Sequence, residues 1–263
     1  MDLDLYVPSS RYAGRADQYR RFRPTYPLAT VEVFRREAGP EARFVADVGS
    51  GTGLFSQRLL EAGFSVQAVE PNEDMRAEAE ARLAWHAGFV SIKGTAEATT
   101  LRATSIDAVS CAQAFHWFDV SRVVPEFRRI LKPGGLVCLL WNNQRFDADA
   151  FHRDYEEVLR RGCPDYERFN ISSIAYSARK LEDQFSTDAV SEYHFDNEQV
   201  LDLEGLKGRI SSVSYCPPLG TTAYQKLMAE TEALFGRHQS NGSVRILHDL
   251  EMYCIRFAPD SHA

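Results

Sequence analysis

The run Asp47-Val48-Gly49-Ser50-Gly51-Thr52-Gly53 constrains this chain more than any other feature. Ahead of it, Phe44-Val45-Ala46-Asp47-Val48 is a short apolar run that predicts a strand. Behind it, Leu54 to Ala62 predicts a helix that Gly63 closes. Glycines between a strand and a helix let the backbone turn sharply and approach a ligand closely. The turn is not the dinucleotide fingerprint G-x-G-x-x-G, because the sixth residue counted from Gly49 is Leu54. Asp47, placed before the first glycine, would oppose a pyrophosphate and favour an ammonium group. A ligand with a ribose and a cationic tail therefore fits this turn better than a nicotinamide dinucleotide.

The strand–helix rhythm continues from there. Val66–Glu70, Phe89–Lys93, Ile106–Cys111 and Leu136–Trp141 read as strands; Asn72–Trp85 and Val120–Leu131 read as helices, with a turn at Lys132-Pro133-Gly134-Gly135. Such alternation implies a parallel sheet with helical crossovers. Upstream, Ala13–Phe22 and Thr30–Ala38 predict helices. Downstream the rhythm changes: Asp149–Arg161 is helical, Cys163–Asp188 irregular, and Ala189–Phe195 a strand. Leu201–Ser212 and Ala223–Phe235 follow as helices, and Val244–Phe257 as the last strand. We divide the chain into an N-terminal covering segment (1–40), a core (41–145), an insert or lid facing the substrate (146–216), and a C-terminal helix and strand completing the sheet (217–263).

Charge narrows the partners. With 30 Lys and Arg against 37 Asp and Glu, the net charge is −7, which argues against extended nucleic-acid contacts. The local exception is Arg11, Arg15, Arg20, Arg21 and Arg23, either a solvated helix face or a means of recognising a carboxylate. No apolar run approaches the roughly 20 residues that cross a bilayer. The acidic start, Met1-Asp2-Leu3-Asp4-Leu5, is unlike a signal peptide, and a cytoplasmic protein is expected. The five cysteines lack C-x-x-C pairing, which predicts buried free thiols rather than disulfides or zinc. The histidines show no spacing suited to a metal, and His152-x-Asp154 reads as an exposed helix face.

Glu70 ends the second strand about 20 residues past the glycines, where a Rossmann-type acid accepts hydrogen bonds from ribose hydroxyls. Met75, one turn into the next helix, is placed to pack on adenine or in the core. Further pieces follow in order: Val69-Glu70-Pro71-Asn72, Gly94-Thr95-Ala96-Glu97, Ala114-Phe115-His116-Trp117-Phe118 and Leu131-Lys132-Pro133-Gly134-Gly135. With the glycine run, these make the chain resemble the class I S-adenosylmethionine-dependent methyltransferases, in the methyltransferase-domain group that includes trans-aconitate methyltransferase-like enzymes. Ala16 to Pro27 also resembles the segment that folds over the cofactor in such enzymes. The resemblance covers roughly residues 40–145. It implies a Rossmann-like sheet, mostly parallel with an antiparallel last strand, and S-adenosylmethionine as cofactor, with S-adenosylhomocysteine as product and no metal.

By resemblance, Gly49 and Gly51, with Ser50 and Gly53 in the same turn, approach the methionine half. Glu70 and Pro71 sit at the ribose, and Thr95, Ala96 and Glu97 at the adenine. Gln113 and Ala114 border the sulfonium, while Tyr19 and Arg23 close over the cofactor. Relatives often carry Asp where this chain has Thr95, so either its hydroxyl or Glu97 takes that contact. The aromatic segment around Trp117 follows the carboxyl end of a strand, where it either holds a cation or seals a helix onto the sheet. His116 is a candidate general base or a substrate-positioning residue. Trp117, Asn142 and Tyr215 are candidates for the acceptor pocket. The function implied is methyl transfer to a small-molecule acceptor, with an RNA or protein methyltransferase and a non-catalytic cofactor sensor as alternatives. Monomer and homodimer both stay open.

Overall fold

The computed structural model describes residues 16–169, 176–187 and 189–257; Arg11 and the expected helical residues 13–15 lie outside them. Helices α1 (Ala16–Phe22) and α2 (Leu28–Ala38) come first. The alternating core follows: β1 (Phe44–Val48), α3 (Leu54–Glu61), β2 (Ser65–Val69), α4 (Glu73–Leu83), β3 (Phe89–Ile92), β4 (Ile106–Ala112), α5 (Val120–Ile130) and β5 (Leu131–Gln144). Then come α6 (Ala150–Gly162), α7 (Tyr166–Phe169), α8 (Ala178–Phe185), β6 (Val190–Leu201), α9 (Leu203–Ser211), α10 (Thr222–His238) and β7 (Val244–Arg256). The strands form one seven-stranded sheet in the order β3-β2-β1-β4-β5-β7-β6. Strands β1 to β5 pair in parallel, and β7 runs antiparallel to both neighbours. This is the Rossmann-like arrangement the sequence implied. Chain order reverses between β1 and β4, and such a switch point leaves a crevice outside the carboxyl ends of the strands.

Strand β5 shows why the central strands read as unbroken apolar runs. Leu136, Cys138 and Leu140 pack on one face with Phe34, Phe55 and Leu59 of α2 and α3. Val137, Leu139 and Trp141 pack on the other with Phe127 of α5 and Phe185 of α8. Both faces are covered, so every residue from Leu136 to Trp141 is apolar even though the side chains alternate. A third cluster joins α6, α9 and α10 to the start of β7 through Tyr155, Leu159, Leu206, Ile210, Leu227 and Ile246.

Several local expectations need correction. Lys132 to Gly135 does not precede the strand but bulges within it: Ile106 pairs with Leu131, and Ala108 next pairs with Leu136. Gly134, at φ +75°, carries the bend. Strand β5 continues to Gln144 because β7 pairs with it along Asn142, Asn143 and Gln144. Strand β6 extends to Leu201; its polar run Asp196-Asn197-Glu198-Gln199 disguises an edge strand paired throughout with β7. The stretch expected to be irregular contains α7 and α8. His152 is fully buried rather than exposed. Its Nδ1 lies 2.8 Å from Asp149 Oδ1, and its Nε2 accepts from Leu247 N at 3.0 Å, fastening α6 to β7. The five cysteines are free and buried. Among the described residues, no helix is long and apolar enough to cross a membrane.

Helix α1 rests on α9 and α4 above the carboxyl edge of the sheet. Arg20 Nε reaches Glu78 Oε1 of α4 at 2.5 Å. On α9, a Cβ added to Gly208 would fall 2.4 Å from the Phe22 ring, so the missing side chain is what lets α1 lie flat. The Gly208→Ala variant is expected to lift α1 and speed tryptic cleavage at Arg20 and Arg21, with the sheet intact by circular dichroism. Unchanged cleavage would show that α1 does not depend on this contact.

Candidate active site

The chain turns at the ends of β1, β2 and β4 enclose a cavity of about 230 Å³. The glycine run supplies one wall, with Gly49, Gly51 and Gly53 at φ +70°, +55° and +77°. Their tasks differ. A Cβ on Gly49 would lie 2.6 Å from the Ala114 Cβ, so this glycine lets the β1 turn press against the β4 turn. At Gly51 a Cβ would meet nothing within 4 Å. Gly53 is outside the cavity lining: its Cβ would strike Leu83 Cδ1 at 2.6 Å, so it packs α3 against α4.

Two buried carboxylates brace this wall. Asp47 Oδ2 accepts from Ser56 Oγ at 2.5 Å and Oδ1 from Ser110 Oγ at 2.7 Å. Burial outweighs these hydrogen bonds and pushes the Asp47 carboxyl up to about 6. Glu70 Oε2 accepts from Gly51 N and Oε1 from Asn72 N, both at 2.9 Å. Burial raises this carboxyl as well, while the two backbone donors act to lower it. Asn72 caps α4 by accepting from Met75 N at 2.9 Å, which sets the buried Met75 against the cavity.

The remaining walls follow from the strand ends. Tyr19 of α1, Pro71, Thr95, Ala96, Glu97, Gln113, Ala114 and Trp117 all line the cavity, as do Asp47, Gly49, Ser50, Gly51, Glu70 and Met75. Glu97 Oε1 accepts from Asp119 N at 3.1 Å, holding the loop before α5. Gln113 adopts φ +57°, a left-handed conformation rarely taken by a residue with a side chain, and donates its N–H to Leu140 O at 2.8 Å. The aromatic segment divides its work. Phe115 is fully buried and stacks on Phe185 at 5.7 Å, sealing the helices onto the sheet, while Trp117 and Phe118 face the cavity.

Four other candidates stand outside this lining. His116 Nδ1 accepts from Trp141 Nε1 at 3.4 Å, and its Nε2 is buried with no partner among the described residues. Burial, then the charge of Arg23, pushes His116 down to about 3, so the ring is neutral near pH 7 and is a poor proton acceptor. Arg23 donates Nη2 to Ser212 O at 3.1 Å and lies over the Tyr19 ring at 4.9 Å. Asn142 Oδ1 accepts from Asn197 Nδ2 at 2.8 Å. The Tyr215 ring meets that of Tyr166 edge-on at 5.5 Å.

Sequence reading missed Tyr26, Thr52, Leu54, Phe55, Ala112 and Phe118 as cavity walls. Thr52 and Leu54 are in or beside the glycine run and could have been included; Tyr26 and Phe55 meet edge-on at 4.9 Å only through folding. Spacing also gave no hint that pairing of β6 with β7 brings His194, Asp249 and Glu251 within 4.8 Å. His194 is an exposed ion-pair hub there, with Nε2 3.0 Å from Glu192 and Nδ1 3.2 Å from Asp249.

Residues 46–139 match the family model described as a methyltransferase domain. The chain is similar to an uncharacterized methyltransferase of Mycobacterium tuberculosis, 32% identical over 239 residues that cover 89% of this chain and 90% of the relative. The chain belongs to the class I S-adenosylmethionine-dependent methyltransferases. An uncharacterized methyltransferase-like protein of Schizosaccharomyces pombe is 26% identical, covering 82% of both chains. In fold, the methyltransferase is similar to a Geobacter sulfurreducens S-adenosylmethionine-dependent methyltransferase solved with S-adenosylhomocysteine. The TM-score is 0.54 at 16% identity, over 95% of this chain and 98% of the other.

The close contact at Gly49 gives a direct test. Gly49→Ala combines a clash at Ala114 with an unfavourable φ, and is expected to cost about 1–3 kcal/mol. A fall in Tm with weaker S-adenosylhomocysteine binding is the expected result; a variant equal to wild type in both would contradict the packing described.

Proposed function

We propose that this methyltransferase transfers the methyl group of S-adenosylmethionine to a small-molecule acceptor by in-line displacement. The carrying observation is that the glycine turn and the buried Glu70 share one cavity at the switch point of the sheet. S-adenosylmethionine, when bound, supplies a methyl group already activated by its sulfonium.

The residues suit that cofactor. Gly51 turns bare backbone toward open space. Glu70 is held by two backbone N–H groups and keeps lone pairs for the ribose hydroxyls, as an acid at this position does in Rossmann-type sites. Asp47 offers buried negative charge to the ammonium of the amino-acid end, with Ser56 and Ser110 fixing its orientation. Pro71, Met75, Thr95, Ala96 and Glu97 are assigned to the adenosine end, and Gln113 and Ala114 to the sulfonium. Tyr19 covers the cavity from α1. Ser50 and Trp117 complete the walls, while Gly53 supports them from behind.

Holding the acceptor in line with the methyl–sulfur bond is then the main catalytic task. We assign His116 a positioning role. Its Nδ1 accepts from Trp141, which leaves the neutral ring's proton on Nε2, so the residue offers a donor rather than a base. Exclusion of water falls to α1 and α9 together.

Asp47 provides the test. Its carboxyl, at about 6 instead of 3.8, holds a proton in the folded state that the unfolded chain releases. Its contribution to stability is therefore fullest at acid pH and is lost as pH rises through 6; the shift of about two units corresponds to roughly 3 kcal/mol. At pH 7.5, Asp47→Asn is expected to raise the Tm of the free protein by about 6–12 °C. It should also weaken S-adenosylmethionine binding at least tenfold by calorimetry. Wild-type affinity should fall between pH 7.5 and 5, and the variant's should stay flat. Absence of any binding heat from S-adenosylmethionine or S-adenosylhomocysteine would sink the functional reading. The same holds if no S-adenosylhomocysteine forms on incubation with a metabolite extract.

A further inference from the structure

Beyond the cofactor cavity, buried polar groups without partners gather at one place. Arg209 Nε and Nη1 and Arg23 Nε have no accessible surface and no hydrogen-bond partner among the described residues, and the buried polar atoms of Tyr155, Gln144 and His248 lie beside them. A folded protein leaves few such atoms, and a cluster of them marks an absent ligand or solvent. The fold brings these residues together from distant parts of the chain. Gln144 of β5 lies opposite His248 of β7 in the antiparallel register. Tyr155 comes from α6, Arg209 from α9 and Arg23 from just past the end of α1.

The sign of the charge is decisive. Arg209 is 6% exposed, and among the described residues no carboxylate pairs with it or with Arg23. Burial and the neighbouring Arg23 both disfavour its cation. Both guanidinium groups also act on His248, which burial and these charges push down to about 3, so the imidazole adds no compensating charge. A buried guanidinium at Arg209, with the half-buried Arg23 beside it and no carboxylate counter-ion, is unfavourable unless an anion joins them. Tyr155, hydrogen-bonded to Gln144, adds a neutral hydroxyl beside them. Guanidinium is well suited to oxyanions, and nothing in this group suits a cation.

We propose that Arg209 and Arg23, with Tyr155 and His248, form a subsite that anchors an oxyanion of the methyl acceptor, a carboxylate or a phosphate. The position joins it to the reaction centre. Arg23 lies over Tyr19, a wall of the cofactor cavity, and His116 carries an unpartnered Nε2 beside Trp117, another wall. An acceptor gripped at its anionic end by Arg209 would extend past Arg23 toward the sulfonium. The anion is the handle; the subsite contributes to specificity and leaves the identity of the methylated atom open.

This inference rests on the methyltransferase reading, and the experiment separates the two. The full-length protein is first saturated with S-adenosylhomocysteine, whose binding alone tests that reading. Succinate, inorganic phosphate and neutral succinamide are then titrated by calorimetry. At least one anion is expected to bind, succinamide not to bind, and the tighter anion names the headgroup. In Arg209→Met, anion affinity should fall at least thirtyfold while the Tm of the free protein rises, because an unpaired buried charge is gone. Arg209→Lys should retain an intermediate affinity, and Tyr155→Phe, which keeps the ring, should lose severalfold. Cofactor binding with no anion binding, equal binding of succinamide, or full anion affinity in Arg209→Met would overturn the proposal. So would a lower Tm in Arg209→Met, since it would give Arg209 a structural partner.

Discussion

Asp47 sits where three elements must meet: its own strand β1, Ser110 directly opposite on β4, and Ser56 in the first turn of α3. A carboxylate taken out of water and given two hydroxyls still lies far from its ordinary acidity, so burying it costs the fold about 3 kcal/mol. An apolar residue there would pack without that penalty. The β1 turn begins two residues later, where Gly49 and Ser50 donate to Val69 O at 2.9 and 3.2 Å. Position and charge of the cavity wall are thus fixed together.

Strain gathers around the same wall. Gly49, Gly51 and Gly53 adopt left-handed angles that glycine accepts at little steric cost, but Gln113 does so with a full side chain. Its N–H to Leu140 O extends the pairing of β4 with β5 for one more residue before the chain swings over the cavity. Ala114 then passes so close to Gly49 that neither position has room to grow. The small residues here are set by the approach of two backbones.

Legibility in the sequence follows the range of the forces involved. The β1 turn, Glu70 and the parallel core are written in residues close along the chain, and the structure places them as read. What went unread depends on partners far away. Strand β6 looks polar until β7 pairs along it, and His152 looks exposed until Leu247 donates to it. Gly53 resembles its two neighbours in the run, yet only the approach of Leu83 shows that it packs a helix pair. Lys132 to Gly135 has every sign of a turn, but β4 pairs on both sides of it, which makes it a bulge.

That division also separates the two halves of the site. The cavity at the glycine turn is built mainly from residues 47–118, with Tyr19 and Tyr26 added from the N-terminal segment. The arginine group is assembled from the residue just past α1, from α6 and α9, and from the end of β5 where it pairs with β7, elements far apart along the chain. On the proposed assignment, a change at Arg209 or Tyr155 touches no residue of the glycine turn, and would shift acceptor preference while cofactor binding is kept. Arg23 and Tyr19 are the exception. They join the halves through one cation–π contact, and movement of α1 therefore acts on both at once.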